Sequence, residues 1–129
     1  MPTRQRNTFL TPLVVEVMPS GRQFMLHYDF TYLWKRKYID IQIPSGFETD
    51  FASIPKIFRI IIPKLGKYNK AAVIHDAIYR DYITGYKFAR AEADLIFLDG
   101  MKDMGVAKWK RYVMYWAVRI FGGFAWRKR

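Results

Sequence analysis

The sequence contains no cysteine, and this absence excludes two kinds of small protein. Without thiols there is neither a disulfide framework nor a metal site built on thiolates. The composition suits a reducing compartment, and stability must come from a packed core. Such a core is attainable, because 51% of the residues are hydrophobic and 18% are aromatic.

Long hydrophobic runs are missing as well. The longest apolar stretch, YVMYWAVRIFGGFAW, has 15 residues and contains Arg119, so it is too short and too charged for a transmembrane helix. The N-terminal apolar run is interrupted by Pro12 and Glu16, and no secretory signal peptide is expected. The glycine patterns of phosphate loops, dinucleotide-binding folds and Gly-x-Ser-x-Gly nucleophile elbows are also missing.

Acidic residues are missing from the end of the chain. The net charge is +11, and after Asp103 there are seven lysines and arginines but no acid. A basic end of this kind favours an anionic partner, which can be nucleic acid, an acidic lipid surface or an acidic protein. The alternative is a solvated face that keeps the protein soluble. The candidate anion-binding residues are Lys108, Lys110, Arg111, Arg127, Lys128 and Arg129.

The length fits a single domain over residues 1–129. Alternation of inward and outward residues, as over 24–34, predicts a three-stranded antiparallel sheet over about 13–43. The rest is mostly helical. We predict two antiparallel core helices over about 69–83 and 90–104, and a basic C-terminal helix over about 107–121. A sheet followed by segregated helices is an α+β fold.

The even-numbered positions from Phe24 to Trp34 form a largely aromatic face of the predicted sheet. We expect this face to pack under the helices, because something must cover their apolar faces. The alternative is a platform on which nucleobases stack.

Three titratable side chains interrupt the apolar runs of the two predicted core helices. His75 and Asp76 lie in AAVIHDAIYRDY, and Asp94 lies in ARAEADLIF. On a helix, His75 and Tyr79 share a face, whereas Asp76 points about 100° away from His75. If the two helices are antiparallel, Asp94 can face His75. A carboxylate on one ring nitrogen leaves the other nitrogen basic, and such a pair can take a proton from water.

The same residues also fit a purely structural interpretation. His75 can be a core residue with its hydrogen bonds satisfied, and Asp76 can bond backbone amides of a neighbouring loop. Asp94 can pair with Arg80 or Arg90. On this view the polar residues form a buried network that ties a loop to the helices.

The spacing of HDAIY, GYKF and AEADLIF resembles the active-site core of the phospholipase A2 superfamily, in the cysteine-free form carried by parvovirus capsid proteins. The resemblance covers about a quarter of the chain. It implies that His75 is the general base and that Asp94 orients it, helped by Tyr79. It also implies a bound Ca²⁺ with Asp76 as a ligand. The matching positions are His75, Asp76, Tyr79, Tyr86, Ala93, Asp94 and Phe97.

One departure concerns the calcium loop. The phospholipase family supplies backbone carbonyls from a glycine-rich loop before the helix, whereas the corresponding loop here, PKLGKYN, contains only Gly66. Calcium requires several oxygen ligands, and Gly66 is the candidate ligand in this loop.

A second resemblance covers nearly the whole chain. PSGFETDFASIP, AAVIHDAIY, RAEADLIFLDGM and MYWAVRIFGG are similar to a phage- and prophage-borne family known as domain of unknown function 1353, and the chain is identified as a member. Membership implies a bacteriophage origin, hence the bacterial host cytoplasm or a virion. It also draws attention to Asp50, as a further metal ligand or supporting acid, and to Ser53, as a helix cap.

The last predicted helix carries an apolar stripe flanked by basic residues. We expect a core helix with basic edges, and the alternatives are a membrane-surface helix or a nucleic-acid patch. The stripe consists of Trp109, Tyr112, Val113, Trp116, Ile120 and Phe121.

Three hypotheses for function follow. The first is a calcium-dependent, phospholipase A2-like ester hydrolase at an anionic lipid surface. The second is a non-enzymatic phage virion or accessory protein that uses the fold as a scaffold and contacts other phage structural proteins. The third is nucleic-acid binding through the basic C-terminal end.

Overall fold

The computed structural model describes residues 8–21, 23–49 and 67–127, apart from the side chains of Phe124 and Arg127. Strands come first and helices follow, so the predicted α+β class is confirmed. The strands are β1 (Val15–Val17), β2 (Phe24–Leu26), β3 (Phe30–Trp34), β4 (Ile39–Ile43) and β5 (Glu48–Thr49). The helices are α1 (Asn69–Tyr79), α2 (Arg90–Asp103), α3 (Lys108–Phe121) and α4 (Gly123–Arg127).

The strands form two antiparallel sheets instead of the single three-stranded sheet predicted over about 13–43. β2 lies between β1 and β5 in one sheet, and β3 pairs with β4 in a separate hairpin. The run over 24–34 is therefore not one strand, because the chain bends after Leu26 and changes its pairing partner. Asp29 stabilises this bend by accepting hydrogen bonds of 2.8 Å from the Ser45 backbone and from the Gln42 side chain.

The inward residues of these strands are the predicted ones except for Tyr28, which lies in the bend between β2 and β3 and is 67% exposed. Phe24, Leu26, Phe30, Tyr32 and Trp34 are all buried, and the rings at positions 30 and 34 are fully enclosed. The aromatic face packs in the core beneath the helices, as expected. Its buried rings are not available for nucleobases to stack on.

Helix α1 ends four residues earlier than predicted because of its backbone geometry at Asp81. This residue has a φ of 62°, in the left-handed region. The amide of Asp81 bonds to the carbonyl of Ile78, and that of Tyr82 bonds to the carbonyl of Ala77. These are the two hydrogen bonds of a Schellman motif, which glycine usually occupies. An aspartate in that position gave no stop signal in the sequence.

Helices α1 and α2 approach closely where a glycine lies inside α2. A Cβ at Gly100 would lie 2.9 Å from the Cβ of Ala71. The close approach explains why α2 accepts a residue that lowers helix propensity. All residues of α1 from Ala71 to Tyr79 are buried. Any polar group on α1 must therefore find its partners inside the protein.

We predicted that the apolar stripe of the last helix packs in the core between basic edges. This prediction is wrong for most residues of the stripe. Met114, Ala117 and Val118 form the buried face of α3, and the large side chains of the stripe point to solvent. α3 is followed by the short helix α4, because Gly122 keeps a helical conformation with φ −74° and ψ −15°. No helix in the described ranges is both long enough and apolar enough to cross a membrane.

Candidate functional site

A histidine from α1 and a carboxylate from α2 meet between the two helices. His75 Nε2 lies 2.8 Å from Asp94 Oδ1, and the side chains are 7% and 0% exposed. The packing of α1 against α2 brings these residues together across 19 positions of the sequence. The structure therefore contains the juxtaposition that helix periodicity predicted.

Tyr79 follows His75 by one turn and contacts the same carboxylate. Its hydroxyl donates a hydrogen bond of 2.6 Å to Asp94 Oδ1. Its ring centre lies 4.2 Å from that of His75, and the ring of Phe97 lies 4.8 Å from the imidazole. Burial, followed by the hydrogen bond to Asp94, raises the pKa of Tyr79, so the phenol stays protonated. Tyr79 thus holds Asp94 in place and packs beside the imidazole.

Two arginines complete what we call the Asp94 cluster (His75, Tyr79, Arg90, Asp94 and Arg119). Arg119 of α3 donates a hydrogen bond of 2.8 Å to Asp94 Oδ2. Arg90 Nε lies 3.9 Å from the same oxygen and donates a bond of 3.1 Å to the Tyr79 hydroxyl. The Arg90 guanidinium also donates to the carbonyls of residues 118 and 119, near the end of α3. The cluster therefore joins α1, α2 and α3.

The electrostatic balance keeps Asp94 ionised. Burial alone raises the pKa of this carboxyl, but hydrogen bonds from His75, Tyr79 and Arg119 and the electrostatic interaction with His75 outweigh burial. The net effect is a pKa below the usual range. Reciprocally, the hydrogen bond from Arg119 to Asp94 raises the pKa of that guanidinium. A buried carboxylate is tolerated in the core because both of its oxygens are bonded.

Gly122 leaves room for this arrangement at the end of α3. A Cβ at this position would lie 2.6 Å from the Tyr79 hydroxyl. Trp126 of α4 also packs against the phenol, with its ring centre 5.2 Å away. The end of α3 and helix α4 therefore both lie against Tyr79.

The hydrogen bond to Asp94 determines what the imidazole of His75 can do. When Nε2 carries a proton and donates it to Asp94, Nδ1 has the free lone pair of the neutral ring. Nδ1 makes no hydrogen bond within the described part of the chain. A neutral imidazole held in one tautomer by a buried carboxylate is the arrangement of a general base.

Asp76 lies on a different side of α1, as its position on the helix predicted. It is buried, and its Oδ1 lies 3.3 Å from Arg80 Nε. Arg80 also donates a hydrogen bond of 2.9 Å to the backbone carbonyl of Glu48 in β5. Arg80 therefore pairs with Asp76 and links α1 to the first sheet, and it does not pair with Asp94.

The predicted calcium site lies mostly outside the described residues. Asp50 and Gly66, together with Ser53, fall in residues 50–66, and Asp76 is the one predicted ligand with a described position. Among the residues that the structure describes, no group of three or more histidines and carboxylates could hold a metal ion. Calcium binding stays a prediction.

The predicted anion-binding residues separate into two groups. Lys108, Lys110 and Arg111 lie on the first turn of α3, and Arg111 Nη1 donates a bond of 3.1 Å to the carbonyl of Val106. The side chain of Arg127, and the whole of Lys128 and Arg129, lie outside the described residues.

A second polar cluster lies where the far end of α2 meets the β3–β4 hairpin, and we call it the Asp99–Asp103 cluster. Asp99 accepts hydrogen bonds of 2.9 Å from Trp34 Nε1 and of 2.8 and 2.9 Å from Arg36. Asp103 accepts bonds of 3.1 Å from the Tyr32 hydroxyl and 3.0 Å from the Thr8 hydroxyl. These residues line a cavity of about 320 Å³ that also contacts Lys35 and Lys102.

Arg119 was not predicted from the sequence to be a site residue. Its side chain turns back from the last helix into the protein and reaches Asp94. The available signal was a single charge inside a 15-residue apolar run. A charge in such a position needs a buried partner.

Comparison with known proteins identifies the family. The model of the family described as "Protein of unknown function (DUF1353)" matches residues 24–118, which is more than half of the chain, and the chain belongs to that family. A relative from Sinorhizobium fredii, named "Uncharacterized protein y4jT", is 42% identical over 83 residues. The match covers 62% of this chain but only 23% of the relative. No solved structure matches the chain.

Proposed function

We propose that this DUF1353 protein is an ester hydrolase in which His75 acts as the general base, in the manner of phospholipases A2. The observation that carries the proposal is the bond of 2.8 Å between His75 Nε2 and the fully buried carboxylate of Asp94. A histidine held in this way has one nitrogen committed to a carboxylate and the other available for a proton.

The proposed reaction begins with a water molecule at His75 Nδ1. As the water oxygen attacks the ester carbonyl, Nδ1 takes its proton, and a tetrahedral intermediate forms with a negative oxygen. The imidazolium that results is stabilised by Asp94. Collapse of the intermediate breaks the bond to the leaving alcohol, which receives the proton from Nδ1. The products are a carboxylic acid and an alcohol, and the imidazole is neutral again.

Tyr79 and Arg119 act through Asp94 in this proposal. Tyr79 bonds one carboxylate oxygen and Arg119 bonds the other, so the carboxylate cannot rotate away from the imidazole. Both are positioning residues, because neither has a hydrogen bond to His75 in the described structure.

Calcium belongs to the proposal only through the resemblance to phospholipases A2. The ion would polarise the ester carbonyl. The described residues do not by themselves form a site for it: Asp76 pairs with Arg80, and the other predicted ligands are not described. We therefore assign no step of the reaction to the ion. Calorimetric titration with Ca²⁺ tests directly whether the ion binds. Saturable binding that is lost in Asp76→Asn would support Asp76 as a ligand of the ion.

The hydrolase proposal is tested with a soluble ester, p-nitrophenyl butyrate, and with phosphatidylglycerol dispersed in detergent. We expect His75→Gln to reduce hydrolysis by about 10²–10⁴-fold, the contribution of a general base. The matched control is His27→Gln. His27 is the other histidine of the chain and also lies beside a carboxylate, at 3.1 Å from Glu16, but on the exposed surface. Equal rates for the wild type and His75→Gln would contradict the proposal.

A second candidate function is a structural scaffold, such as a phage virion or accessory protein. It is favoured by the extent of the Asp94 cluster, in which Arg90 and Arg119 join α2 to the end of α3. On this hypothesis the wild type hydrolyses neither ester, and His75→Gln lowers the melting temperature. An unchanged melting temperature would contradict it. Phage origin and a place in the host cytoplasm or the virion stay predictions.

A further inference from the structure

Helix α3 presents a row of large apolar side chains to solvent. Trp109, Tyr112, Trp116 and Ile120 follow one another at intervals of three or four residues, so they lie on one side of the helix. Their exposed fractions are 56%, 40%, 57% and 68%. We call this row the aromatic stripe.

The stripe is not needed to attach α3 to the rest of the protein. That contact is made by the opposite face of the helix, through Met114, Ala117 and Val118, and by Arg119 and Arg90. Scattered exposed hydrophobic residues are ordinary, but a contiguous apolar patch marks an interaction surface. The stripe is such a patch, and its position leaves it accessible.

The surroundings of the stripe are basic. Lys110 Nζ lies 5.6 Å from the ring centre of Trp109, and the Arg111 guanidinium lies 5.8 Å from that of Tyr112. Lys108 begins the same helix, and no acidic residue follows Asp103 in the sequence. The partner of this surface must therefore accept apolar rings and provide negative charge beside them.

We propose that α3 docks on an anionic lipid surface, with the helix lying in the plane of the membrane interface. Trp and Tyr favour the interfacial layer, where the ring is apolar and the polar edge remains hydrated. Lys and Arg beside them contact anionic headgroups.

Two other partners fit these observations less well. A second copy of the chain would place two strongly basic helices face to face, which like charges oppose. Single-stranded nucleic acid needs ring faces on which bases stack. Here cations already lie over the rings of Trp109 and Tyr112.

The proposal goes beyond the hydrolase function and does not depend on it. Docking involves the outer face of α3, whereas His75 lies in the core between α1 and α2. If both hold, Arg119 connects the docked helix to the Asp94 cluster, and a lipid ester becomes the natural substrate class.

Sedimentation of the protein with sucrose-loaded vesicles tests the proposal. The vesicles contain either phosphatidylcholine alone or equal amounts of phosphatidylglycerol and phosphatidylcholine. We expect the wild type to sediment with the anionic vesicles only. The double variant Trp109→Ala/Trp116→Ala should bind at least about tenfold more weakly, because its lost apolar area cannot enter the interface.

The matched control removes two exposed aromatic residues elsewhere, in Tyr28→Ala/Tyr38→Asn. These tyrosines are 67% and 80% exposed and lie on the sheet side of the molecule, and asparagine tolerates the positive φ at position 38. The control should bind vesicles like the wild type, and circular dichroism melting should show both variants folded. His75→Gln should also bind normally, which separates docking from hydrolysis.

Four results would overturn the docking proposal. The first is no sedimentation of the wild type with anionic vesicles, and the second is equal binding by the tryptophan variant. The third is tighter binding to a single-stranded oligonucleotide, lost in the tryptophan variant, which would make the stripe a nucleic-acid surface. The fourth is a dimer in sedimentation equilibrium that the same variant disrupts, which would make it an interface between copies.

Discussion

Helix α2 carries hydrogen-bonded carboxylates in two regions, one buried and one partly exposed, and the donors that bond them differ in kind. In the Asp94 cluster, the carboxylate is bonded by His75, Tyr79 and Arg119 and is fully enclosed. In the Asp99–Asp103 cluster, the donors are an indole, a guanidinium, a phenol and a hydroxyl, and the Asp99 side chain is 19% exposed. Both clusters fasten α2 to a neighbouring element.

The difference concerns protons. Indole, guanidinium, phenol and hydroxyl groups keep their protons near neutral pH, so the Asp99–Asp103 cluster can only hold the hairpin against α2. The imidazole of the Asp94 cluster has two ring nitrogens, so one can be bonded to the carboxylate while the other accepts a proton. Two similar sets of hydrogen bonds therefore have different chemical capacities, and the Asp94 cluster is the better candidate for catalysis.

The largest expected effect comes from removing the central carboxylate. Asp94→Ala leaves Arg119 and the Tyr79 hydroxyl without their acceptor in the core, and we expect the free energy of unfolding to fall by about 3–5 kcal/mol. Asp99→Ala is the matched change, and it should cost about 1–3 kcal/mol because its partners are nearer to solvent. Urea denaturation measures both. Equal losses of unfolding free energy in the two variants would contradict the expectation that the Asp94 cluster contributes more to stability.

The arginines of the two clusters give the next largest difference. Arg119→Gln breaks a bond to a fully buried carboxylate and should cost about 1.5–3 kcal/mol. Arg36→Gln breaks a two-pronged ion pair at the surface, where the arginine is 51% exposed, and should cost about 0.2–1 kcal/mol. Raising the salt concentration should weaken the Arg36 contribution more than that of Arg119. A larger loss for Arg36→Gln would contradict this ranking.

The pH dependence of stability isolates Asp94. Since its folded-state pKa lies below the usual range, the stability it contributes is complete above the ordinary carboxyl pKa of about 4 and is lost as the pH falls through the lowered value. Asp94→Asn removes this contribution. Its acid-side slope should be shallower than that of the wild type by at most one proton, or about 1.4 kcal/mol per pH unit. Superimposable acid slopes would show that Asp94 is not stabilised in this way.

The smallest expected difference in stability is between the phenylalanine variants of Tyr79 and Tyr32. Tyr79→Phe should cost about 1–2 kcal/mol, because Arg90 Nε loses its acceptor together with the bond to Asp94. Tyr32→Phe should cost about 1 kcal/mol, because Asp103 keeps the donor Thr8. If the hydrolase proposal holds, ester hydrolysis should fall in Tyr79→Phe and remain unchanged in Tyr32→Phe. Loss of activity in both would indicate a general effect of destabilisation.

Local patterns in the sequence were sufficient for much of the fold. Alternation identified the inward residues of β2 and β3 but wrongly placed Tyr28 inward, and Gly105 ended α2 as expected. The patterns failed where a helix ends with an unusual residue and where a strand is very short. Asp81 ends α1 in a place that glycine usually takes, and β5 has only two residues, too few to show a period.

The candidate site was also predicted only in part, because local patterns in the sequence indicate some of its contacts and not others. Helix periodicity placed His75 and Tyr79 on one face, and the spacing to Asp94 suggested the pair. The roles proposed for these residues stay predictions, as do those for Asp76, Asp50 and Gly66. The contact of Arg119 with Asp94 spans 25 positions of the sequence and depends on how α3 crosses α2, which no local spacing encodes.

The sequence alone was enough to predict the α+β class, the inward residues of β2 and β3, the shared face of His75 and Tyr79, and the basic character of the end of the chain. These follow from backbone periodicity and from composition, which act over a few residues. The tertiary structure decided that the strands divide into two sheets, that Arg119 reaches Asp94, and that the aromatic stripe of α3 faces solvent. Each of these depends on which surfaces pack together, and that choice is made by the whole chain.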